Sequence, residues 1–564
     1  MSKQVTRRSF IAGAGILAVG AAGAGLAACA PQPEATGSSN TAEGPEQFAG
    51  GKGRWSWSEA PEPISDDQIA EVLDCEVLII GAGSTGVAAA TYATSQGANT
   101  VIMTKGDFVE KLGFNVAAYN SKHNAEFGIE YDPAWWRKDM TFYYQGKCNV
   151  PMMGTLFDRS GEALDWFTEY MDDSYPSAYF TNTGLMMMGD EGASHIVYVW
   201  PDDDPEAPPT PESMETGMSK MFNAAQKRIE ENGGRFLFAT PAVQLVLDGE
   251  GRVAGAIGLN KQGEYVKVNA SKGVVLGCGD IVHDDEMLEC YCPQMLGAKS
   301  RNSFGTCTGD GVRMGLWIDA KVETAPWAPS QTYPHADLIA SDPNNQVVNW
   351  FLASTTWMRV NKAAKRFVNE SIWMDERWGA ESLYLANSDQ PDQTCYAICD
   401  ADFAIQTDPD PRGLTAGFEA QVSDGTIKSA ETIEELAALI ELDPATLGQS
   451  VDRYNEFCAA GRDGDFGVDG ALLSPIQKPP FYALEFTVYN SAAFGGLWTD
   501  EYFRVVNKDL QVIDGLYAAG NCLGGRGGFM YSPDLRYTAS FKTAAMAGGI
   551  LTVKHMLGGW DEAF

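Results

Sequence analysis

The first strand-like run of hydrophobic residues follows Ala30–Gly53, a segment with few large apolar side chains. The run Cys75–Ile80 is mostly apolar and β-branched, and it leads directly into a glycine-rich turn and a helical stretch, Val87–Gln96. A second short apolar run, Thr100–Met103, follows that helix. This order predicts a strand, a turn, a helix and a second strand, the unit from which dinucleotide-binding α/β folds are built.

The turn carries three glycines, Gly81, Gly83 and Gly86, with Ser84 and Thr85 among them. Such a turn needs unusual backbone angles, and a pyrophosphate must come close to main-chain N–H groups at the helix N-terminus. By composition alone the glycine pattern is expected about 0.7 times in a chain this rich in glycine, so its meaning comes from the strand and helix around it. We predict that these five residues cradle a dinucleotide.

The second predicted strand ends without the acidic residue that usually binds the ribose hydroxyls of a dinucleotide. Thr104 occupies that position and Lys105 follows it. A threonine hydroxyl still donates or accepts one hydrogen bond, so both residues are candidate cofactor ligands. An ordinary residue at a strand end is the alternative for Thr104.

The N-terminal segment has the pattern of an export signal. Thr6–Ile11 contains two adjacent arginines, and an Ala- and Gly-rich stretch without acidic residues follows. This resembles a twin-arginine signal, because the glycines dilute the apolar run too far for a stable transmembrane helix. Leu26–Cys29 resembles a lipoprotein cleavage site, which predicts a signal at 1–28, lipidation of Cys29 and a flexible tether at 29–54. An extracytoplasmic, membrane-anchored location is expected, with cleavage without lipidation as the alternative.

Composition and charge narrow the function classes. The 564 residues include 75 acidic and 40 basic ones, for a net charge of −35 and no evident basic patch, so nucleic acid is a poor candidate partner. The chain has 5 histidines, and spacings such as Cys290-x-Cys292 match no zinc or haem motif. No metal site is predicted. The 60 glycines indicate an α/β enzyme with many tight turns.

Motifs over most of the chain resemble the flavoprotein family of fumarate reductases and succinate dehydrogenases, which includes the 3-ketosteroid dehydrogenases. Beyond the glycine turn, these motifs are Thr240–Val253, Lys272–Asp280, Thr308–Gly311, Lys365–Glu370, Arg453–Glu456, Pro479–Ala483 and Gly515–Asn521. The resemblance implies an α/β fold with a Rossmann-like FAD-binding domain and an inserted α+β capping, or clamp, domain. The implied boundaries are 55–345 and 491–564 for the two parts of the FAD-binding domain and 346–490 for the capping domain.

The same resemblance implies FAD as the cofactor, held by glycine-rich loops that follow hydrophobic strands. Beside the residues of the turn and the second strand, it adds as candidate ligands Asn115, Val243, Gly279, Asp310, Gly520 and Asn521. Members with covalently attached flavin carry a histidine near the glycine loop. Here that region offers only the poorly placed His123, so non-covalent FAD is expected.

The residues that would hold a dicarboxylate are missing. Fumarate reductases bind two carboxylates with histidines and arginines, since fixed cations offset the cost of desolvating a dianion. The corresponding positions here carry Tyr333, Met374, Ala493 and Tyr531. We therefore expect an apolar, aromatic pocket. Its candidate walls, each better explained singly by core packing, are Trp327, Tyr333, Trp350, Trp357, Trp373, Phe494 and Phe529.

Tyr531 is the residue on which the expected chemistry depends. In the 3-ketosteroid dehydrogenase branch, a tyrosine at this position binds the substrate carbonyl together with a backbone N–H four residues later, here that of Leu535. Two such donors would stabilise an enolate during hydride transfer. The segment Ser532–Arg536 departs from the glycine-rich run of that branch, and a buried structural tyrosine is the alternative. His335 is a candidate proton donor, with a structural histidine as the alternative.

These observations predict an FAD-dependent oxidoreductase that reduces an activated C=C bond in an enone-like, aromatic or polycyclic small molecule. The sequence carries neither an FMN-binding domain nor a haem motif, so electrons are expected from a cytochrome or a quinol. One alternative is a dehydrogenase of the 3-ketosteroid type that runs in the oxidative direction. A ligand-binding lipoprotein that has lost FAD is the alternative from another class.

Overall fold

A computed structural model describes the chain from Trp55 onward, with gaps. The described ranges are 55–109, 115–175, 179–181, 196–200, 211–298, 300–301, 305–332, 355–372, 381–402, 414–529 and 542–564. The predicted signal and tether lie outside these ranges, as do Tyr531, Leu535 and His335. Within the described ranges, no helix combines the length and the apolar character needed to cross a membrane.

The described strands are numbered in chain order: β1 (Ile69–Ile80), β2 (Thr100–Met103), β3 (Asn115–Ala118), β4 (Tyr179–Thr181), β5 (Ile196–Val199), β6 (Arg235–Leu237), β7 (Ala242–Leu247), β8 (Val253–Leu259), β9 (Tyr265–Leu276), β10 (Ser300–Arg301), β11 (Ala328–Thr332), β12 (Met358–Asn361), β13 (Thr394–Cys399), β14 (Lys428–Ala430), β15 (Phe481–Thr487), β16 (Tyr489–Phe494), β17 (Arg504–Val506) and β18 (Val512–Ala518).

The described α-helices follow the same convention: α1 (Ser84–Ser95), α2 (Pro133–Tyr143), α3 (Val150–Met171), α4 (Pro211–Glu231), α5 (Asp285–Tyr291), α6 (Asp310–Leu316), α7 (Glu381–Ser388), α8 (Leu414–Ser423), α9 (Ile433–Leu439), α10 (Pro444–Ala460) and α11 (Lys542–Met556).

The largest sheet in the described part of the chain has eight strands, six of them in the order β17-β18-β9-β1-β2-β6. The central strand β1 runs parallel to both β2 and β9, and the hairpin β7–β8 joins the sheet through β9. The predicted strand, turn, helix and strand are therefore confirmed as β1, α1 and β2. β1 is longer than the run Cys75–Ile80 because its first half, which is not continuously apolar, also pairs with β9 from Ile69 onward.

Helix α1 is held tightly between the sheet and the C-terminal helix α11. Ten of its residues, Thr85–Thr94, are buried, and many of them are alanines. At the facing position of α11, a methyl group on Gly549 would lie 2.6 Å from the carbonyl oxygen of Thr85, so the two helices approach too closely for a side chain there. Small residues on both helices therefore fix where the N-terminus of α1 points.

A second, four-stranded sheet in the order β12-β13-β15-β14 lies within the segment predicted to form the capping domain, and its pairs are all antiparallel. One face packs on side chains of α9 and α10, such as Leu436 and Val451, and the other on Phe418 of α8. This is an α+β arrangement. The boundaries at 345/346 and 490/491 remain predictions.

Two three-stranded sheets complete the described topology, in the orders β10-β16-β11 and β3-β5-β4. A single residue, Val488, lies between the end of β15 in the four-stranded sheet and the start of β16. The chain thus passes directly from the second sheet into the strands that precede the C-terminal loop.

Arg366 ties two separate parts of the second sheet's segment together through buried ion pairs. Its guanidinium lies 2.6 Å from Glu370 Oε2 and 2.8 Å from Asp463 Oδ2, and both carboxylates are fully buried. Burial by itself would raise the pKa of Asp463, but hydrogen bonds from Arg366 and from backbone N–H groups outweigh it and lower the pKa to about 2. The turn after β12 is thereby joined to the loop after α10.

We predict that Arg366→Met lowers the free energy of unfolding by about 3 kcal/mol or more, because it leaves two buried carboxylates without a countercharge. Urea denaturation followed by tryptophan fluorescence at neutral pH measures this loss. The matched control is Arg453→Met, which removes an ion pair with Asp465. Because the side chain of Arg453 is 57% exposed, the expected loss of unfolding free energy is below about 1 kcal/mol. Equal losses in the two variants would contradict the role of burial.

Candidate cofactor and active site

A cleft with about 950 Å³ of space between atoms, open solvent included, lies at the carboxyl ends of β1, β2 and β9, the edge where doubly wound sheets bind ligands. The residues that line it are Ile80–Thr85, Met103–Lys105, Pro241–Ala242, Gly277–Gly279, Thr306–Cys307, Asp310, Asn521, Lys542 and Ala545. The lining thus combines segments more than 400 residues apart in sequence, such as Ile80–Thr85 and Lys542.

Most of the predicted cofactor ligands line this cleft, namely Gly81, Gly83, Ser84, Thr85, Thr104, Lys105, Gly279, Asp310 and Asn521. Four others do not. Gly86 and Gly520 lie behind the lining, where a methyl group would overlap the Gly81 carbonyl and the Thr85 hydroxyl, respectively. Val243 lies in β7 directly after the lining residues Pro241 and Ala242, and Asn115 begins β3. The individual roles of all these residues toward a cofactor remain predictions.

The glycine turn leaves its main chain open toward the cleft. Gly81 has a φ of +107°, donates from its N–H to Met103 O at 2.8 Å, and has no room for a side chain because the Gly277 carbonyl lies against it. Gly83 is the N-cap of α1, and no side chain caps this helix. The N–H groups of its first turn are therefore available to a phosphate, which the helix dipole also favours.

A carboxylate from α6 reaches the end of β2, where the sequence lacks an acid. Lys105 forms an ion pair with Asp310 at 2.6 Å and also donates to the Thr308 hydroxyl. Arg313 donates to the second oxygen of Asp310 at 2.7 Å. Two cations thus fix Asp310 against Lys105, and Thr104, Lys105 and Asp310 all line the cleft.

Sequence reasoning missed a buried network behind Asn521. Asp280, which is 1% exposed, accepts hydrogen bonds from the Asn521 amide nitrogen at 3.0 Å and from the Val282 N–H at 2.8 Å. Arg526, also 1% exposed, donates to the Asn521 amide oxygen at 3.2 Å and to Leu523 O at 2.9 Å. Asn521 thus bridges a carboxylate and a guanidinium, which fixes its amide with the nitrogen side toward Asp280.

Burial raises the pKa of Asp280 to about 6, although the hydrogen bonds from Val282 and Asn521 act in the opposite direction. The local sequence around Asp280 resembles a glycine-rich turn after a strand, which is why this carboxyl was not singled out. Its partners Asn521 and Arg526 come 241 residues later or more.

The loop after Asn521 is held in place by a second buried ion pair. Lys147 lies 2.8 Å from Glu323, and the second oxygen of Glu323 accepts the Gly525 N–H at 2.6 Å. Lys147 also donates to the carbonyl oxygens of Pro326 and Gly528. One lysine therefore connects its own segment to residues 323–326 and to Gly528, which precedes Tyr531 by three residues.

The candidate aromatic walls fall into two groups. Trp327 stacks on Tyr291 at 4.4 Å and Trp357 packs edge-on against Phe418, so both serve in cores. Phe494 and Phe529 instead lie beside cations, since Arg526 stands 5.0 Å from the first ring and Lys147 5.1 Å from the second. Tyr333, Trp350 and Trp373 are outside the described residues.

Comparison with known proteins places this arrangement in a family. The family described as FAD binding domain matches residues 76–532, which span the glycine turn, the second sheet and the loop after β18. The chain belongs to this family. Its cofactor is FAD, and this flavoprotein is an oxidoreductase that acts on CH–CH bonds. The match favours an enzyme over a binding protein without FAD.

Among curated relatives of the flavoprotein, digoxin reductase of Eggerthella lenta is 28% identical over 92% of this chain and 91% of its own length. A probable fumarate reductase of Shewanella frigidimarina is 24% identical over 86% of this chain and 76% of its own. Among solved structures, a flavocytochrome c3 fumarate reductase superposes with a TM-score of 0.64 at 22% identity, covering 89% of this chain and 83% of that one. A 3-ketosteroid Δ1-dehydrogenase from Sterolibacterium denitrificans gives 0.62 at 17%, covering 86% and 99%. These structures share the fold.

The residues of the cleft fit FAD. The glycine turn and the uncapped N-terminus of α1 suit its pyrophosphate, and the carboxylate of Asp310 and the hydroxyl of Thr104 suit ribose hydroxyls. When bound, FAD supplies hydride transfer to or from carbon. The chain's own part is to hold the cofactor with backbone groups and to fix Asn521 through Asp280 and Arg526.

We predict that Gly81→Ala lowers the ratio of bound FAD to purified protein roughly tenfold, because the added methyl group must push the turn away from the Gly277 carbonyl at a left-handed φ. Visible absorbance against protein concentration measures the ratio. Gly97→Ala is the control, since its φ is +74° but no atom lies within 4 Å of the added methyl group. A folded Gly81→Ala protein with a full complement of FAD would refute the proposed role of the turn.

We predict that Asp280 makes stability fall as pH rises. Its pKa in the folded protein, about 6, lies above its ordinary value of 3.8, so its contribution is fully present below about pH 4 and is lost as pH rises through about 6. Relative to Asp280→Asn, the wild-type protein should lose about 3 kcal/mol of unfolding free energy between these limits. Urea denaturation at a series of pH values measures the two slopes. The exposed Asp509→Asn variant should follow the wild type, and parallel curves for wild type and Asp280→Asn would contradict the prediction.

Proposed function

We propose that this flavoprotein reduces an activated C=C bond in a small molecule that is not a dicarboxylate, with an enone-like, aromatic or polycyclic structure. The observation that carries the proposal is the engagement of two cations beside the loop after β18. Arg526 is committed to Asn521 and Leu523 O, and Lys147 to Glu323 and two carbonyl oxygens. If either cation turned to a substrate carboxylate, Asn521 or Glu323 would lose its partner inside the protein, which costs free energy.

A second observation supports the same substrate class. Ala493, at or next to the position of a substrate-binding histidine in fumarate reductases, is fully buried in β16 and pairs with Pro329 of β11. Its neighbour Phe494 packs beside Arg526. This part of the molecule therefore offers small and aromatic side chains where a dianion would need donors.

The names of several relatives agree with such a substrate. Beside the digoxin reductase, they include a vinyl phenol reductase of Lactiplantibacillus plantarum, 23% identical over 82% of this chain, and a urocanate reductase of Eggerthella lenta, 26% identical over 83%. Each is named for reducing an unsaturated compound other than fumarate. This diversity favours a common reaction type on substrates chosen by the pocket.

In the proposed reaction, the Tyr531 hydroxyl and the Leu535 N–H donate hydrogen bonds to a substrate carbonyl and stabilise the negative charge that develops on it. His335 is the proposed proton donor to the reduced substrate. The proposed source of electrons is a cytochrome or a quinol. We further propose that the protein acts outside the cytoplasm, exported by the twin-arginine signal and anchored through lipidated Cys29.

The test follows the flavin spectrum of the protein that lacks residues 1–29. The flavin is reduced anaerobically and then mixed with a panel of enones, cinnamate-like acids and fumarate. We predict that an enone or aromatic alkene restores the oxidised spectrum and fumarate does not. Tyr531→Phe should slow that reoxidation by about a hundredfold, because the developing negative charge loses a donor.

Two results would overturn the proposal. The first is reoxidation by fumarate at a rate equal to or above that of every other compound. The second is an unchanged rate in Tyr531→Phe with the compound that reacts. Oxidised flavin that is bleached by a saturated ketone, with no reaction in the opposite direction, would instead support the dehydrogenase alternative.

A further inference from the structure

Two cysteines meet beside the cofactor cleft. Cys278 follows β9 and Cys522 follows β18, and their sulfur atoms are 3.6 Å apart. β9 and β18 are neighbouring parallel strands in which Leu276 pairs with Ala518, so the two loops leave the sheet side by side. We propose that a low-molecular-weight disulfide oxidises Cys278 and Cys522 to a disulfide, and that this bond retains FAD in the cleft.

The geometry leaves little to change before the bond forms. A disulfide bond is about 2.05 Å long, so the sulfur atoms must approach by about 1.5 Å. Both sulfurs face Gly311 of α6, where a methyl group would lie 2.7 Å from the Cys278 sulfur and 2.9 Å from that of Cys522. Because position 311 is a glycine, the two sulfurs share the space that a side chain would otherwise occupy.

The two thiols differ in access. Cys278 lines the cleft and is partly exposed, whereas Cys522 is completely buried and its thiol donates to Gly279 O at 3.0 Å. Contact with Cys278 and burial both raise the pKa of the Cys522 thiol. A small reagent in the cleft therefore reaches Cys278 first, and Cys522 is the partner that resolves the product.

The chemistry balances with a disulfide RSSR as the oxidant. The Cys278 thiolate attacks one sulfur of RSSR, which breaks the S–S bond and releases RS⁻. The Cys522 sulfur then attacks the Cys278 sulfur of the mixed disulfide and releases the second RS⁻. The two cysteine thiols lose two electrons and two protons, and RSSR takes them up to become two molecules of RSH.

The consequence for FAD follows from where the two loops lie. Gly277–Gly279 and Asn521 line the cleft, and Cys522 follows Asn521 directly. A covalent bond between the loops removes open states in which they separate, and such states are the ones from which a bound cofactor escapes. We expect the rate of FAD release to fall roughly fivefold to tenfold, which corresponds to a free energy within the range that one disulfide contributes to stability.

The experiment incubates the protein with hydroxyethyl disulfide and excess FAD for longer than the cofactor takes to exchange, because the reagent reaches Cys278 through the cleft that FAD occupies. Intact mass should fall by two hydrogens, and peptide mapping under non-reducing conditions should join the peptides that contain Cys278 and Cys522. FAD fluorescence after dilution into cofactor-free buffer should then rise more slowly than in untreated protein. A reductant should restore both the mass and the original rate.

Variants separate the two cysteines. Cys522→Ser should stop at the mixed disulfide, so that the adduct stays on Cys278 and FAD release does not slow. Cys278→Ser should form no crosslink, and any reagent that it takes up in the cleft should lie on Cys307, which also lines it. The control is Cys75→Ser, a buried thiol in β1 that donates to Asn269 O and should leave the crosslink unchanged.

Three results would overturn the proposal: an adduct on wild-type Cys278 that never resolves, a crosslink through a different cysteine, and a correct crosslink that leaves FAD release unchanged. No substrate enters the test. Failure here therefore leaves the proposed reduction of C=C bonds untouched, and failure of that reaction leaves this test valid.

Discussion

The cofactor cleft depends on the close approach of two backbone segments, the turn after β1 and the loop after β9. The parallel pairing of β1 with β9 brings Gly81 against the Gly277 carbonyl, with no room for a side chain between them. The same crowding recurs around the start of α1, where Gly520 and Gly549 both face Thr85. Glycine is thus required where the sheet, α1 and the C-terminal segment meet, and the resulting main-chain surface suits a pyrophosphate.

A second constraint is that the buried cations of this strongly acidic chain need partners inside the protein. Arg366 and Lys147 each join separate chain segments through carboxylates or carbonyl oxygens, and the buried Arg526 binds Asn521 and Leu523 O within its own loop. Such groups are costly to bury without partners, so each network fixes a local geometry. Beside the loop after β18, Lys147 and Arg526 therefore already bind groups of the protein and are not available to a substrate. That commitment connects the stability of the loop to the proposed choice of a conjugated substrate that is not a dicarboxylate.

The sequence predicted the parts of the fold that local patterns encode. The strand, glycine turn, helix and second strand are present, and most of the proposed FAD ligands line one cleft. The first half of β1 was missed because it is not continuously apolar and is specified by pairing with β9. Asp280 was missed for a related reason, since a single acidic residue in a turn gains meaning only when Asn521 and Arg526 reach it from a distant segment.

The sequence by itself determined the strand, glycine turn and helix that bind a dinucleotide, because strand periodicity and glycine spacing are short-range properties that one segment carries alone. The cofactor and the reaction type followed from the resemblance of motifs along the chain to a flavoprotein family. Only the tertiary structure decided that Gly86 and Gly520 support the cleft from behind, that Asp310 reaches the end of β2, and that Cys278 meets Cys522. These relations join residues from different segments. They arise from the packing of parallel strands and their loops, a long-range property that no local pattern in the chain contains.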